Sequence, residues 1–206
     1  MGVLWRCMRW RFDGEKSDGV LTNSLCEENR MRTPILHTER LDLRPFTVED
    51  AQDVFECWES DPDVAKYMFW CSHNDIEKTK NWVRKEEEKV NDPNWYRFAI
   101  VLRESGALIG TGLIYFEDEV DCWEIAYNLG KAYWGKGYVT EAMREIIAFA
   151  YDELGINEIV GRYAKENPGS GNVLKKLGFQ YEKDIPYECN RGSVLREGIQ
   201  CRLYLD

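Results

Sequence analysis

Three β-rich runs follow one another in the middle of the chain: WYRFAIVL (95–102), ALIGTGLIYF (107–116) and CWEIAYNL (122–129). The turn ESG (104–106) joins the first two, and EDEVD (117–121) joins the next two. Connections this short join antiparallel neighbours, whereas a parallel pair needs a crossover of a dozen residues or more. Any fold of this chain must therefore contain a three-stranded meander whose last strand ends near Leu129. Past Leu129 the period changes. Val139, Ala142, Met143, Ile146, Ile147, Ala150 and Leu154 recur at the spacing of one helix face. Gly135-Lys136-Gly137 sits between strand and helix. Glycine costs ~1 kcal/mol against alanine inside a helix, so the pair marks the border where a loop becomes a helix.

The flanking segments complete an α+β order. A short alternating run, Leu41–Leu43–Pro45, precedes a helix over VEDAQDVFECW, with Thr47 as N-cap and Asp50 three residues on. A second helix runs from Asn74 or Asp75 to Lys89. After the Gly-Lys-Gly helix come a strand, EIVGRYA (158–164), a loop, KENPGSGN (165–172), and a short helix, VLKKLGF (173–179). Two strands around FQYEKDI and IQCRLYL end the chain. The sheet is expected to be mixed and mostly antiparallel. Residues 1–32 lack a clear period and read as an N-terminal extension ahead of one domain, 33–206.

Charge and cysteine usage narrow the function. The formal net charge of −10 argues against a nucleic-acid binder. The seven cysteines form no CxxC pair, and only His37 and His73 could join them, so neither a metal site nor a disulfide framework is expected. No apolar run is long enough to span a bilayer. The basic first residues have no uninterrupted apolar stretch and do not read as a secretory signal. A cytoplasmic protein, monomer or homodimer, without membrane association is the expectation.

The glycine loop is where binding chemistry can be read. The first amides of a helix have no intrahelical acceptor, and the helix dipole adds partial positive charge there. Both favour an anion such as a phosphate. Lys136 could add a point charge. A plain tight turn would use the same glycines. Neither GxGxxG nor GxxxxGK[ST] is present, which leaves dinucleotide and Walker-type loops unsupported.

Together, WEIAYNLGKAYWGKGYVTEA (123–142) and ENPGSGNVLKKLGF (166–179) resemble the acyl-CoA-binding motifs of the GNAT acetyltransferase superfamily, nearest its RimJ/RimL-type branch. TERLDLRPFTVEDA (38–51) resembles that branch's opening. The resemblance covers residues 33–206. It implies acetyl-CoA as co-substrate, with the pyrophosphate on the backbone amides of Gly135, Lys136, Gly137, Tyr138, Val139 and Thr140, beside Trp134. It implies that the strand ending at Asn128 and Leu129 splays from EIVGRYA and pairs with the pantetheine arm. Asn167 matches a cofactor-contacting asparagine, Ser170 follows it, and Lys175 and Lys176 could face the adenosine phosphates or be ordinary surface lysines.

Acetyl transfer to an amine needs a base, an aimed amine, a stabilised oxyanion and a proton for the leaving thiolate. Glu124 is the base candidate and a substrate carboxylate: it lies between Trp123 and Ile125, where burial would raise its pKa, and it matches a glutamate common in the branch. Pairing with an arginine is the competing role. A backbone amide near Leu129 would serve the oxyanion. The superfamily's usual acid, a tyrosine seven residues after the asparagine, is Leu174 here. Ser170 matches the serine proposed as acid in RimL-like enzymes. Tyr67, Phe69 and Trp70 are candidates for the acceptor wall, through cation–π contact, or for core packing. The resemblance thus implies direct transfer from acetyl-CoA to a primary amine, on a protein N-terminus or a small molecule. The competing function is a non-catalytic acyl-CoA-binding module.

Overall fold

A computed structural model describes residues 32–206. The expected extension therefore lies outside the described residues, apart from Arg32. Among the described residues eight strands form one sheet: β1 (Leu36–His37), β2 (Leu41–Arg44), β3 (Trp95–Leu102), β4 (Leu108–Glu117), β5 (Cys122–Leu129), β6 (Glu158–Ala164), β7 (Gln180–Cys189) and β8 (Val194–Tyr204). Their order is β1-β2-β3-β4-β5-β6-β8-β7. Every neighbouring pair is antiparallel except β5–β6, which is parallel. The mixed, mostly antiparallel sheet expected from the sequence is the one observed.

Helices cover both faces. α4 (Tyr138–Asp152) lays Met143, Ile146 and Phe149 against Tyr96, Phe98 and Ile100 of β3, and Leu174 of α5 (Pro168–Lys176) joins the same core. On the other face, Phe46, Val54, Trp58 and Val83 pack over Ala99 and Leu108. These come from α1 (Ala51–Val54), the turns around it, and α3 (Ile76–Glu88).

Two local readings need correction. The single helix expected over residues 48–58 is a 3-10 turn, α1 and a π-helical turn at Phe55–Glu59, followed by a short α2 (Pro62–Ala65). Its start is as expected in one respect: the Thr47 amide donates to Asp50 Oδ2 at 2.8 Å. The helix expected from Val173 begins five residues earlier, at Pro168. Asn167 Oδ1 accepts from the Ser170 amide at 3.3 Å, and proline at the first helical position gives up an amide that has no partner anyway. The two final strands lie where they are expected, at Gln180–Cys189 and Val194–Tyr204.

The π-helical turn places Glu59 in the interior, 2% exposed, and burial pushes its carboxyl up to about 7. His73 Nδ1 lies 3.3 Å from Glu59 Oε2 and 2.8 Å from Thr79 Oγ1, and burial lowers the imidazole's pKa. A carboxyl whose folded pKa exceeds its unfolded value stabilises fully below the unfolded pKa, and that contribution is lost as pH rises through the folded one. Stability should therefore fall between pH 4.5 and about 7 on account of Glu59. Glu59→Gln is expected to remove this slope and to gain on the wild type by ~1–3 kcal/mol at neutral pH. Denaturant melts across that window check it. A wild-type stability that does not fall there contradicts it.

Candidate functional site

β5 and β6 diverge. They pair only at Trp123–Ile159, Glu124–Val160 and Ile125–Gly161, although β5 continues to Leu129 and β6 to Ala164. Beyond Ile125 the β6-facing edge of β5 is therefore free to pair with an extended ligand. The Nδ2 of Asn128, on this free stretch, is buried without a hydrogen-bond partner.

The chain leaves β5 through a short 3-10 turn, Lys131–Tyr133, and enters the glycine loop. Gly135 has φ +75° and Gly137 φ +83°, a left-handed conformation that a side chain resists. Neither position is crowded: a Cβ would meet nothing within 4 Å at Gly135 and only Arg40 Nη2, at 3.6 Å, at Gly137. The first internal bond of α4 runs from Glu141 N–H to Gly137 O at 3.1 Å. The amides of Gly137 to Thr140 thus precede the helix's own ladder and point out of its positive end. Trp134 is half-exposed, and its indole N–H donates to Leu129 O at 2.8 Å, tying the loop to the strand.

A clasp that the sequence did not reveal holds this loop. Glu141 accepts from Thr38 Oγ1 at 2.6 Å, from the Arg40 amide at 2.9 Å and from Arg40 Nε at 2.6 Å. Arg40 also donates to Lys136 O at 3.2 Å and lies 4.5 Å from the centre of the Tyr138 ring. Burial pushes the Glu141 carboxyl up, but the Thr38 and Arg40 hydrogen bonds outweigh it and leave the group below the usual carboxylate range. The β1–β2 turn therefore braces the glycine loop from outside.

At the closed end of the gap, Glu124 is 6% exposed. It shares a sheet face with Tyr115, its partner across β4, and with Arg162 of β6. The guanidinium grips both carboxylate oxygens, through Nε at 2.9 Å and through Nη2. Nη2 also reaches Glu117 Oε2 at 3.2 Å. Burial raises the Glu124 pKa, Arg162 pulls it down, and burial prevails. Two carboxylates face one guanidinium, so the cluster keeps a negative balance.

The aromatic candidates separate. Tyr67 lies under Arg196, 5.2 Å from its ring centre, and its hydroxyl donates to Glu166 O at 3.0 Å. Trp70 packs against the Phe46–Trp58 core and His73. Phe69 alone stays largely exposed, at 58%. The loop is fastened to the β7–β8 hairpin, whose Asn190 and Arg191 amides donate to Met68 O and Phe69 O at 2.9 and 2.5 Å. Lys175 and Lys176 are exposed on α5. Leu174, at the position of the superfamily's tyrosine, is buried in the core.

A family model described as "Acetyltransferase (GNAT) domain" matches residues 40–180. This chain belongs to the GNAT acetyltransferase family. Membership makes it an acetyl-CoA-dependent acetyltransferase. It is 34% identical over 162 residues to the uncharacterized N-acetyltransferase p20 of Bacillus licheniformis, spanning 78% of this chain and 90% of that protein. Its fold is that of a GNAT-family acetyltransferase from Bacillus anthracis (TM-score 0.72, 24% identity, 83% of this chain and 98% of that one). It is also that of RimL, the ribosomal L7/L12 alpha-N-protein acetyltransferase, solved with coenzyme A (TM-score 0.74, 14% identity, 84% and 99%). The splayed edge, the open glycine loop and the orphaned Asn128 amide fit this co-substrate: an extended arm has an edge to pair with, and a pyrophosphate has free amides to meet. No cluster of side chains able to hold a metal occurs among the described residues, and no described helix is long and apolar enough to cross a membrane.

Proposed function

We propose that the chain moves an acetyl group directly from acetyl-CoA to a primary amine, the co-substrate lying between β5 and β6. The observation that carries this is the alignment of the β5–β6 gap with the open start of α4. Asn128 and Leu129 present the strand edge, Trp134 to Thr140 the phosphate loop, and Asn167, Ser170 and Lys176 the far wall. When bound, acetyl-CoA supplies a thioester electrophile. Glu124 takes the ammonium proton: its burial makes it a stronger base than an exposed carboxylate, and Arg162 fixes its orientation. The negative balance of Glu117, Glu124 and Arg162 draws a cationic amine to the closed end of the gap, with Phe69 at the rim. The acceptor is a protein N-terminus or a small amine.

A primary amine should release CoA thiol from acetyl-CoA and its N,N-dimethyl counterpart should not. Equal release with both would mean hydrolysis and would refute transfer to nitrogen. The clasp makes a separate prediction. Arg40→Ala frees the loop without touching the reacting end, so the KM for acetyl-CoA should rise about tenfold, the loss of one or two bonds of ~1 kcal/mol, while kcat holds at saturation. A fall in kcat with KM unchanged would contradict it.

A further inference from the structure

The gap carries a second group of polar side chains, on the face opposite Glu124. Tyr127 lies on β5 two residues beyond Ile125, the last position paired with β6. Its hydroxyl is 3.0 Å from Ser170 Oγ, where either oxygen can donate, and 3.2 Å from Ser170 O, which can only accept from it. Ser170 is the third residue of α5, its amide bound to Asn167. Tyr163 of β6 closes in from the other side: a Cβ on Gly171 would lie 2.8–2.9 Å from two of its ring carbons and its hydroxyl oxygen. Both diverging strands therefore meet the first turn of α5, β5 at Ser170 and β6 at Gly171, ahead of the buried Leu174 that stands in place of the superfamily's tyrosine.

We infer that Tyr127 is a positioning residue for the departure of the thiol: it donates to Ser170 Oγ and so turns the serine proton toward the cofactor sulfur. This rests on the reading that acetyl-CoA occupies the β5–β6 gap. A serine hydroxyl has one proton and two lone pairs, and alone it rotates freely. Accepting from Tyr127 commits a lone pair and leaves the proton for a second partner. Burial pushes the Tyr127 pKa well above the usual tyrosine value. The phenol thus keeps its proton through the working range, and of the two serine oxygens it can donate to, Oγ at 3.0 Å is nearer than the carbonyl at 3.2 Å. A chain of two hydrogen bonds polarises its members in the same sense, and the start of α5 adds its positive end. Ser170 then stabilises charge on sulfur, although a lone serine would do so poorly.

The test titrates the thiol of CoA bound to the full-length protein, by the ultraviolet absorbance of the thiolate. Ser170→Ala and Tyr127→Phe should each raise the pKa of the bound thiol by about one unit, a tenfold change in thiolate at a given pH. The double variant should raise it no further, because the two act as one unit. Acetyl-CoA affinity should stay close to wild type and kcat should fall in step. If Ser170→Ala raises the pKa and Tyr127→Phe does not, Tyr127 donates to the serine carbonyl instead and the inference is wrong. It is equally wrong if neither variant moves the pKa. Tyr127→Met serves if the phenylalanine variant does not fold, and the same rise is required of it. A wild-type protein that fails to bind CoA would instead overturn the site on which the inference rests.

Discussion

Gly137→Asp is expected to weaken acetyl-CoA binding by two orders of magnitude or more. The site has room for the side chain, since the nearest atom to a new Cβ would be Arg40 Nη2 at 3.6 Å. Two other effects act. At φ +83° an L-residue is strained, by roughly 1–2 kcal/mol, least for Asn and Asp. The larger effect is charge: a carboxylate would compete with the ligand's phosphates for the amides of residues 137–140. Charge-assisted hydrogen bonds are worth ~1.5–3 kcal/mol each, and every 1.4 kcal/mol is about a factor of ten in Kd. Losing two such bonds costs about a hundredfold to ten-thousandfold. Gly137→Asn separates the causes, because it takes the same φ without charge and should lose far less. Calorimetric titration of folded variants reads both. Wild-type affinity in Gly137→Asp would place the cofactor elsewhere.

Glu124→Gln should lower kcat by ~10²–10⁴-fold, the usual contribution of a general base, and leave acetyl-CoA affinity nearly intact. The pH profile gives the sharper reading. A base works deprotonated, so activity is lost as pH falls through its pKa in the folded enzyme. Burial holds that pKa above the ordinary glutamate value even against Arg162. The acidic limb should therefore lie at higher pH than an exposed carboxylate would give, and Glu124→Gln should abolish it. Arg162→Lys keeps the charge but cannot grip both oxygens. With less to pull the pKa down, the limb should shift further toward neutral. Because Glu124→Gln leaves a half-buried guanidinium short of a charge partner, folding must be checked alongside. Wild-type kcat across pH in Glu124→Gln would leave the residue a purely structural partner of Arg162.

How far the sequence reaches depends on how local each feature is. β3, β4 and β5 are legible because each run is rich in β-branched and aromatic residues and each turn is short, so pairing follows from proximity along the chain. The glycine loop is legible because φ > 0 and the helix start are consecutive. The π-helical turn at Phe55–Glu59 is not, since it keeps the same apolar spacing as the helix around it. β1 and α2 are too short to show a period. The functional contacts are harder still. Arg40 meets Glu141 from 101 positions away, and Tyr127 meets Ser170 from 43. No spacing rule anticipates either, although the motifs that contain them are visible separately. Glu124 is readable as a buried carboxylate, but the partner that orients it, Arg162, sits within an ordinary-looking strand, EIVGRYA. In the stretch 67–70 composition shows three aromatics; their surroundings, which composition does not encode, leave only Phe69 open.

The central claim is direct acetyl transfer to an amine nitrogen, and the stoichiometry of that transfer tests it most directly. The protein is incubated with acetyl-CoA and, separately, with N-terminal peptides, polyamines, amino acids and aminoglycosides. CoA thiol is measured against acetylated product by mass spectrometry. At least one class should yield thiol and N-acetyl product one for one, with no acetyl group left on the protein when the amine is omitted. Tight acetyl-CoA binding with no thiol released above background for any amine, or a stable acetylated protein in its absence, would contradict the account.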